Sequence, residues 1–193
     1  MKEAEKIISG RTFRIFKSIE IMEKKYELTD EILEVGGRVL HRINALRNFG
    51  NIKQGEIGGW IENEDNLSHC GDCWVYGDAE VYGNAIVLGD AKVYGNAKVL
   101  GNAKVLGDAK VLGDAEVYGD AEVEKKSDYI VFKNWWSSGR YFTWTRSNDK
   151  WRVGCFYGTG EKLIKKAYND SEEKGREYER VVKYVESIKQ ELK

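Results

Sequence analysis

The sequence predicts a mainly β protein: a parallel solenoid, preceded by a short β cap and followed by a small α+β domain. Three observations carry that reading. Six-residue units repeat without a break from Cys70 to Val123, strand-like alternation precedes them, and the composition turns sharply aromatic after them.

The nine units are CGDCWV, YGDAEV, YGNAIV, LGDAKV, YGNAKV, LGNAKV, LGDAKV, LGDAEV and YGDAEV. A period this strict marks a solenoid, in which each unit buries its apolar face only by stacking on its neighbours. Ala and Val stand two positions apart with a charged residue between them, the alternation of a short strand with one face inward. The Gly-Asp/Asn pair is the corner, because Gly adopts positive φ cheaply and Asp or Asn can satisfy its own turn backbone.

These units resemble the left-handed β-helix of the hexapeptide-repeat family, in which three hexapeptides make one triangular coil. The resemblance implies that residues eighteen apart stack, that nine units give about three coils, and that the prism is only about 14 Å long at roughly 4.8 Å per coil. It lines up Glu80, Lys98 and Glu116 as an alternating charge ladder, and Trp74 over Lys92 and Lys110. The columns Asp72/Asp90/Asp108 and Asp78/Asn96/Asp114 read as corner turns rather than a calcium ladder, since Asn replaces Asp freely.

Upstream, residues 26–69 read as short strands in YELTDEILEV and RVLHRINAL, then a Gly-rich passage, QGEIGGWIENEDNLSH. KKYELTDE, RINALRNFG, GEIGGWIENEDNLSH and GDCWVYGDA together resemble the N-terminal block of bacterial and prophage hexapeptide-repeat proteins. Chains of that group tend to begin near the position of Met22, so residues 1–25 read as an N-terminal extension. Its Ile and Phe spacing gives no clean helical stripe, and a docking arm and a frayed start are both open readings.

After Val123, residues 124–193 form the third unit. DYIVFKNW, RYFTWTR and KWRVGCFY read as three strands, with turns at Ser137-Ser138-Gly139 and Ser147-Asn148-Asp149. Two helices follow, one through EKLIKKAY and one bearing Tyr178, Val181, Val182, Val185, Ile188 and Leu192 on a single apolar stripe. RYFTWT, WRVGCFYGTGE and KAYNDSEEKG resemble a module attached to prophage hexapeptide proteins.

Composition narrows the function. A formal charge of −1 on 193 residues excludes a globally basic nucleic-acid protein but leaves room for a local patch. Without a secretory signal or an apolar run of membrane length, a soluble cytoplasmic protein that does not use a membrane is expected. Three cysteines argue against a disulfide scaffold.

Many hexapeptide-repeat proteins are acyltransferases using coenzyme A or acyl carrier protein, with a histidine as general base; others are three-histidine zinc anhydrases. This chain has only His41 and His69, both outside the regular coils, and no insertions between units. The anhydrase reading is excluded, and acyl transfer stands as the alternative to a non-catalytic role. The Cys70-Gly71-Asp72-Cys73 motif follows the repeat register, with Cys73 in the inward Ala position, so no metal is expected. Gly158-Thr159-Gly160 reads as a helix start with Thr159 as N-cap rather than a phosphate cradle. No cofactor is expected.

Ten aromatic residues lie between Tyr129 and Tyr157. Trp135, Trp136, Trp144 and Trp151, interleaved with Arg140, Arg146, Lys150 and Arg152, form the candidate partner-binding surface, because aromatic and Arg side chains dominate interface hot spots and base-stacking platforms. Intramolecular packing is the competing account, and one sheet face requires either the solenoid or an outside partner. A second candidate is an oligomer interface along the columns Tyr76/Tyr94/Leu112 and Tyr82/Leu100/Tyr118, which suits a homotrimer in preference to a dimer. The resulting expectation is a non-catalytic homo-oligomeric binding protein whose partner is a host protein, a ribonucleoprotein complex or nucleic acid. The prophage resemblance implies inhibition of a host defence nuclease as its setting.

Overall fold

The computed structural model describes residues 4–8, 11–15, 23–134, 138–189 and 191. Strands β1 (Ala4–Ile8) and β2 (Arg11–Ile15) pair antiparallel, Ala4 opposite Ile15. The cap strands β3 (Tyr26–Val35), β4 (Arg38–Ala45) and β5 (Ile57–Ile61) follow. Nine two-residue strands come next, β6 to β14, at Trp74–Val75, Glu80–Val81, Ile86–Val87, Lys92–Val93, Lys98–Val99, Lys104–Val105, Lys110–Val111, Glu116–Val117 and Glu122–Val123. Strands β15 (Tyr129–Lys133), β16 (Tyr141–Thr145), β17 (Lys150–Val153) and β18 (Phe156–Gly158) and helices α1 (Gly160–Asp170) and α2 (Glu172–Lys189) complete the described chain.

The middle of the molecule is a β-solenoid of about four turns. Each short strand pairs in parallel with the strand eighteen residues on: Glu80 with Lys98 and Lys98 with Glu116, Trp74 with Lys92 and Lys92 with Lys110. The expected charge ladder closes on one rung, Lys98 Nζ 2.8 Å from Glu80 Oε1, while Glu116 pairs instead with Arg152 at 2.7 Å. Inside, the Ala and Val of the units are fully buried, among them Ala79, Val81, Ala97, Val99 and Val117. A corner glycine shows why the period cannot drift. Gly89 has φ +73°, and a Cβ there would approach the backbone N of Gly107, one turn on, to 3.1 Å.

The stack starts earlier than the regular repeat. Trp60 of β5 pairs with Glu80, and Leu67 bridges to Val87, so residues before Cys70 supply a further turn beyond the three coils expected. That first turn carries extra residues, because these pairs span twenty positions instead of eighteen. They fall between Leu67 and Trp74, seven positions where the next turn has five from Val87 to Lys92, while a 3₁₀ turn at Glu64–Asn66 shapes the corner before them. Buried Asn66 fixes it, accepting from the N–H groups of Glu62 and Asn63 and donating to the carbonyls of Gly83 and Ala85. Strands β4 and β3 then extend the same sheet antiparallel, giving the order β13-β10-β7-β5-β4-β3.

The C-terminal unit differs from its expectation in one element. KWRVGCFY is two strands, because Gly154 at φ +55° turns the chain and returns β18 against β17. The sheet is a four-stranded antiparallel meander, β15-β16-β17-β18. The helices lie as expected, with Tyr178, Val182 and Val185 buried and Thr159 capping α1 through its side chain. Leu192 lies outside the described residues.

Both ends of the solenoid are closed by side chains that take up backbone hydrogen-bonding groups. At the last turn, the N–H of Glu116 donates to Thr143 Oγ1 (3.0 Å), that of Leu112 to the Tyr129 hydroxyl (3.1 Å), and that of Glu122 to Ser147 Oγ (2.7 Å). The three belong to three different sheets of the prism. At the first turn the acceptors are carbonyls: Lys25 Nζ donates to that of Cys73 (2.8 Å), the Tyr26 hydroxyl to that of Leu67 (2.7 Å), and Arg42 to those of Gly58 and Gly77.

Two outcomes are expected. Val99→Asp buries a carboxylate in the stacked core and leaves no cooperative thermal transition by circular dichroism; a variant that melts with the parent refutes the inward placement. Thr143→Val keeps the shape of a side chain that is 1% exposed but strands the Glu116 N–H, and costs about 1–3 kcal/mol in urea unfolding.

Candidate interaction surfaces

The C-terminal sheet is covered on both faces within the chain. Phe142 and Trp144 of β16 and Trp151 and Val153 of β17 point to the helices and form one core with Leu163, Ala167, Tyr178, Val182 and Val185. Alternation sends Tyr129, Thr143, Arg152 and Tyr157 to the opposite face, which meets the solenoid end. Arg152 Nε lies 2.7 Å from Glu116 Oε2, and its guanidinium sits 4.8 Å from the Tyr118 ring centroid. Tyr157 packs edge-on against Tyr118 with ring centroids 4.7 Å apart, and its hydroxyl reaches Asp120 (3.3 Å).

This geometry divides the aromatic and basic candidates. Trp144 and Trp151 are 1% and 0% exposed and are core, so neither is a stacking platform for a partner. The Trp144 indole N–H donates to Asp149 (2.8 Å), and Lys189 caps the ring at 5.3 Å while bonding to Asp149 and Glu186. Burial works against the Lys189 charge, but the two carboxylates hold its pKa above the ordinary value. Arg152 is committed to the contact with the solenoid. Arg140 and Arg146 are exposed and Lys150 half-buried, with Arg146 in a long contact, 3.9 Å, to Asp128. Trp135 and Trp136 lie outside the described residues.

The two solenoid columns also part company. Tyr76 and Tyr94 stack at 4.3 Å with planes 13° apart, and burial, with the neighbouring ring, raises the pKa of the Tyr76 phenol. Leu112, the next member, is 46% exposed. In the other column Leu100 is buried between its neighbours, Tyr118 is half-buried against Tyr157 and Arg152, and Tyr82 is likewise half-buried. Beside it a groove of about 400 Å³ is lined by Arg38, Glu62, Tyr82, Asn84, Asn102 and Tyr118. The Asn84 amide donates to Asn102 along its wall (3.0 Å), and Arg38 holds Glu62 at 2.8 Å. Leu88, on the remaining corner, is 38% exposed.

The histidines sit in the N-terminal cap. His69 stacks on Tyr26 with centroids 4.3 Å apart, and its Nδ1 accepts the Lys25 N–H (3.1 Å). Nε2 therefore carries the proton and faces Glu64 at 3.5 Å, so the ring lone pair is already engaged and His69 is poorly placed as a general base. His41 contacts the Thr29 carbonyl through Nδ1 (3.1 Å). Among the described residues no three His, Cys, Asp or Glu side chains converge as metal ligands. No helix among them is long and apolar enough to cross a membrane.

Sequence reasoning missed the residues that join the parts. No sequence motif assigns Lys25 or Arg42 a contact, and Tyr129, Thr143 and Ser147 fall within the strands and turn expected there. Nothing local marks a residue whose partner lies far along the chain. Removal of a core tryptophan separates core from surface: Trp151→Ala is expected to cost about 3–5 kcal/mol, whereas Arg146→Ala changes stability by about 0.5 kcal/mol or less. Thermal unfolding of the two variants checks this.

No protein-family model matches this sequence, and no curated protein matches it in sequence.

Proposed function

We propose that the chain is a non-catalytic scaffold that associates with its own copies along the solenoid wall and presents its C-terminal unit to a macromolecular partner. The observation that carries this reading is the column Tyr76–Tyr94–Leu112, a continuous apolar stripe ending on a leucine that is 46% exposed. Both ends of the solenoid are occupied by the chain's own side chains, so stacking end to end is disfavoured and the wall is the surface left for self-association. In this reading the coil sense is left-handed, as the hexapeptide resemblance implies. Threefold packing about the stripe then makes a trimer in which each subunit offers the same column.

The partner surface in this proposal is basic: Arg146 and Lys150 at one end of β16, and Arg140 at the other end of the same strand. A host defence complex containing nucleic acid suits that chemistry and the prophage resemblance. Arg and Lys contacts of this kind weaken steeply with salt when phosphates are bound.

Sedimentation of the purified chain at micromolar concentration is expected to give a trimer mass, and Leu112→Arg a monomer with unchanged circular dichroism. A monomeric parent chain overturns the self-association. Capture from host lysate with and without nuclease treatment, compared with Arg140→Glu/Arg146→Glu, tests the partner surface. Loss of capture in the charge-reversed form is expected, and equal capture refutes the assignment.

A further inference from the structure

The N-terminal cap contains a lysine and a cysteine in direct contact, both with 0% exposure. Lys25 Nζ lies 3.2 Å from Cys73 Sγ. Two carbonyls fix the amine there, that of Cys73 at 2.8 Å and that of Gly71 at 3.4 Å, and the Phe49 ring centroid stands 5.0 Å away. Backbone contacts likewise hold the sulfur, which lies 3.3 Å from the Ser68 carbonyl. The only partner of Lys25 able to carry a negative charge within hydrogen-bond reach, among the described residues, is therefore a thiol. Burial lowers the Lys25 pKa and raises that of Cys73, so both groups are drawn toward their neutral forms. The amine already stands at hydrogen-bond distance from the sulfur, placed to attack it once it is oxidised.

We propose that Lys25 and Cys73 form an oxidant-responsive covalent bridge that locks the N-terminal cap to the first turn of the solenoid. The oxidant is hydrogen peroxide. The sulfur attacks one peroxide oxygen as its proton passes to Lys25 Nζ, so the charged pair forms only as the S–O bond does. The O–O bond breaks, the sulfur is oxidised by two electrons to sulfenic acid, and the departing hydroxide takes the ammonium proton and leaves as water. Lys25 Nζ, now neutral, attacks the sulfenic sulfur. An S–N bond forms, the S–O bond breaks, and the hydroxide leaves as a second water with a proton from the amine. One thiol, one amine and one peroxide thus give one sulfenamide and two waters.

The bridge closes a loop between positions 48 apart in sequence, from the residue before β3 to the residue before β6. A cross-link over such a span restricts the unfolded chain strongly, so the oxidised form melts several degrees higher than the reduced form. Thiol reductants attack the sulfenamide sulfur and restore both side chains.

The test uses the full-length chain with Cys70→Ser, which removes the alternative of a Cys70–Cys73 disulfide. After peroxide treatment, peptide mass spectrometry is expected to find residue 25 joined to residue 73, with a mass about 2 Da below the sum of the reduced peptides. Dithiothreitol should reverse the link. Exposed Cys155 reports the extent of oxidation in the same sample. Cys73→Ala restores the residue that the other repeats carry at this position, so it folds and must show neither the link nor the rise in melting temperature. Lys25→Met, checked for folding by circular dichroism, must carry oxidised Cys73 without the link. If Cys73 proceeds to sulfinic acid beside an unmodified Lys25, or stays reduced while Cys155 is fully oxidised, the proposal fails.

Discussion

A stack of parallel two-residue strands satisfies its backbone only by repetition, and the first and last turns have no neighbour to complete them. Everything outside the repeat in this protein is arranged around that constraint. Unpaired N–H and C=O groups at a sheet end are costly when buried and recruit other chains when exposed. The chain answers with distant side chains: Lys25, Tyr26 and Arg42 at one end, and Tyr129, Thr143 and Ser147 at the other. The extra turn built from β5 and the 3₁₀ segment serves the same end, since it passes the stack into ordinary antiparallel pairing at β4 and β3.

The same constraint explains the aromatic density of the C-terminal unit. A four-stranded sheet placed across the end of a prism has two faces to fill. One carries hydroxyls, Arg152 and Tyr157 to meet backbone and corner groups of the last turn; the other carries Phe142, Trp144 and Trp151 under two helices. Large rings suit the second role because two short helices over a small sheet bury little area unless each side chain is bulky. Close fit at the junction follows. A Cβ on Gly119 would collide with the Tyr157 hydroxyl, so the corner glycine there also makes room for the cap.

At the opposite end, the cap adds two charged donors, Lys25 and Arg42, to the Tyr26 hydroxyl, where the C-terminal one meets the backbone with neutral hydroxyls. Arg42 covers the Trp60 ring at 4.0 Å and spreads its donors over two carbonyls and Asp78. Lys25 has no carboxylate partner among the described residues and is wholly buried, an arrangement that disfavours the charged amine. Its neighbour Cys73 takes the place of the alanine that the repeat demands. That one substitution places a thiol against the buried amine.

The hexapeptide period by itself determined a solenoid with inward Ala and Val columns, because that depends only on residues a fixed interval apart; the eighteen-residue register, which the parallel pairing shows, was implied by the resemblance to triangular coils. Amphipathic spacing likewise determined the two C-terminal helices and, in the second, the buried Tyr178, Val182 and Val185. Only the tertiary structure decided that the stack begins before Cys70, that KWRVGCFY is two strands, and that Trp144 and Trp151 are core. Alternation shows that a strand has two faces but not what covers each, and a β strand reads alike whether its second face meets solvent, a partner or the end of the same chain's solenoid. The joining contacts escaped for the same reason: Thr143 meets Glu116 across 27 positions and Lys25 meets Cys73 across 48, separations at which no local pattern survives.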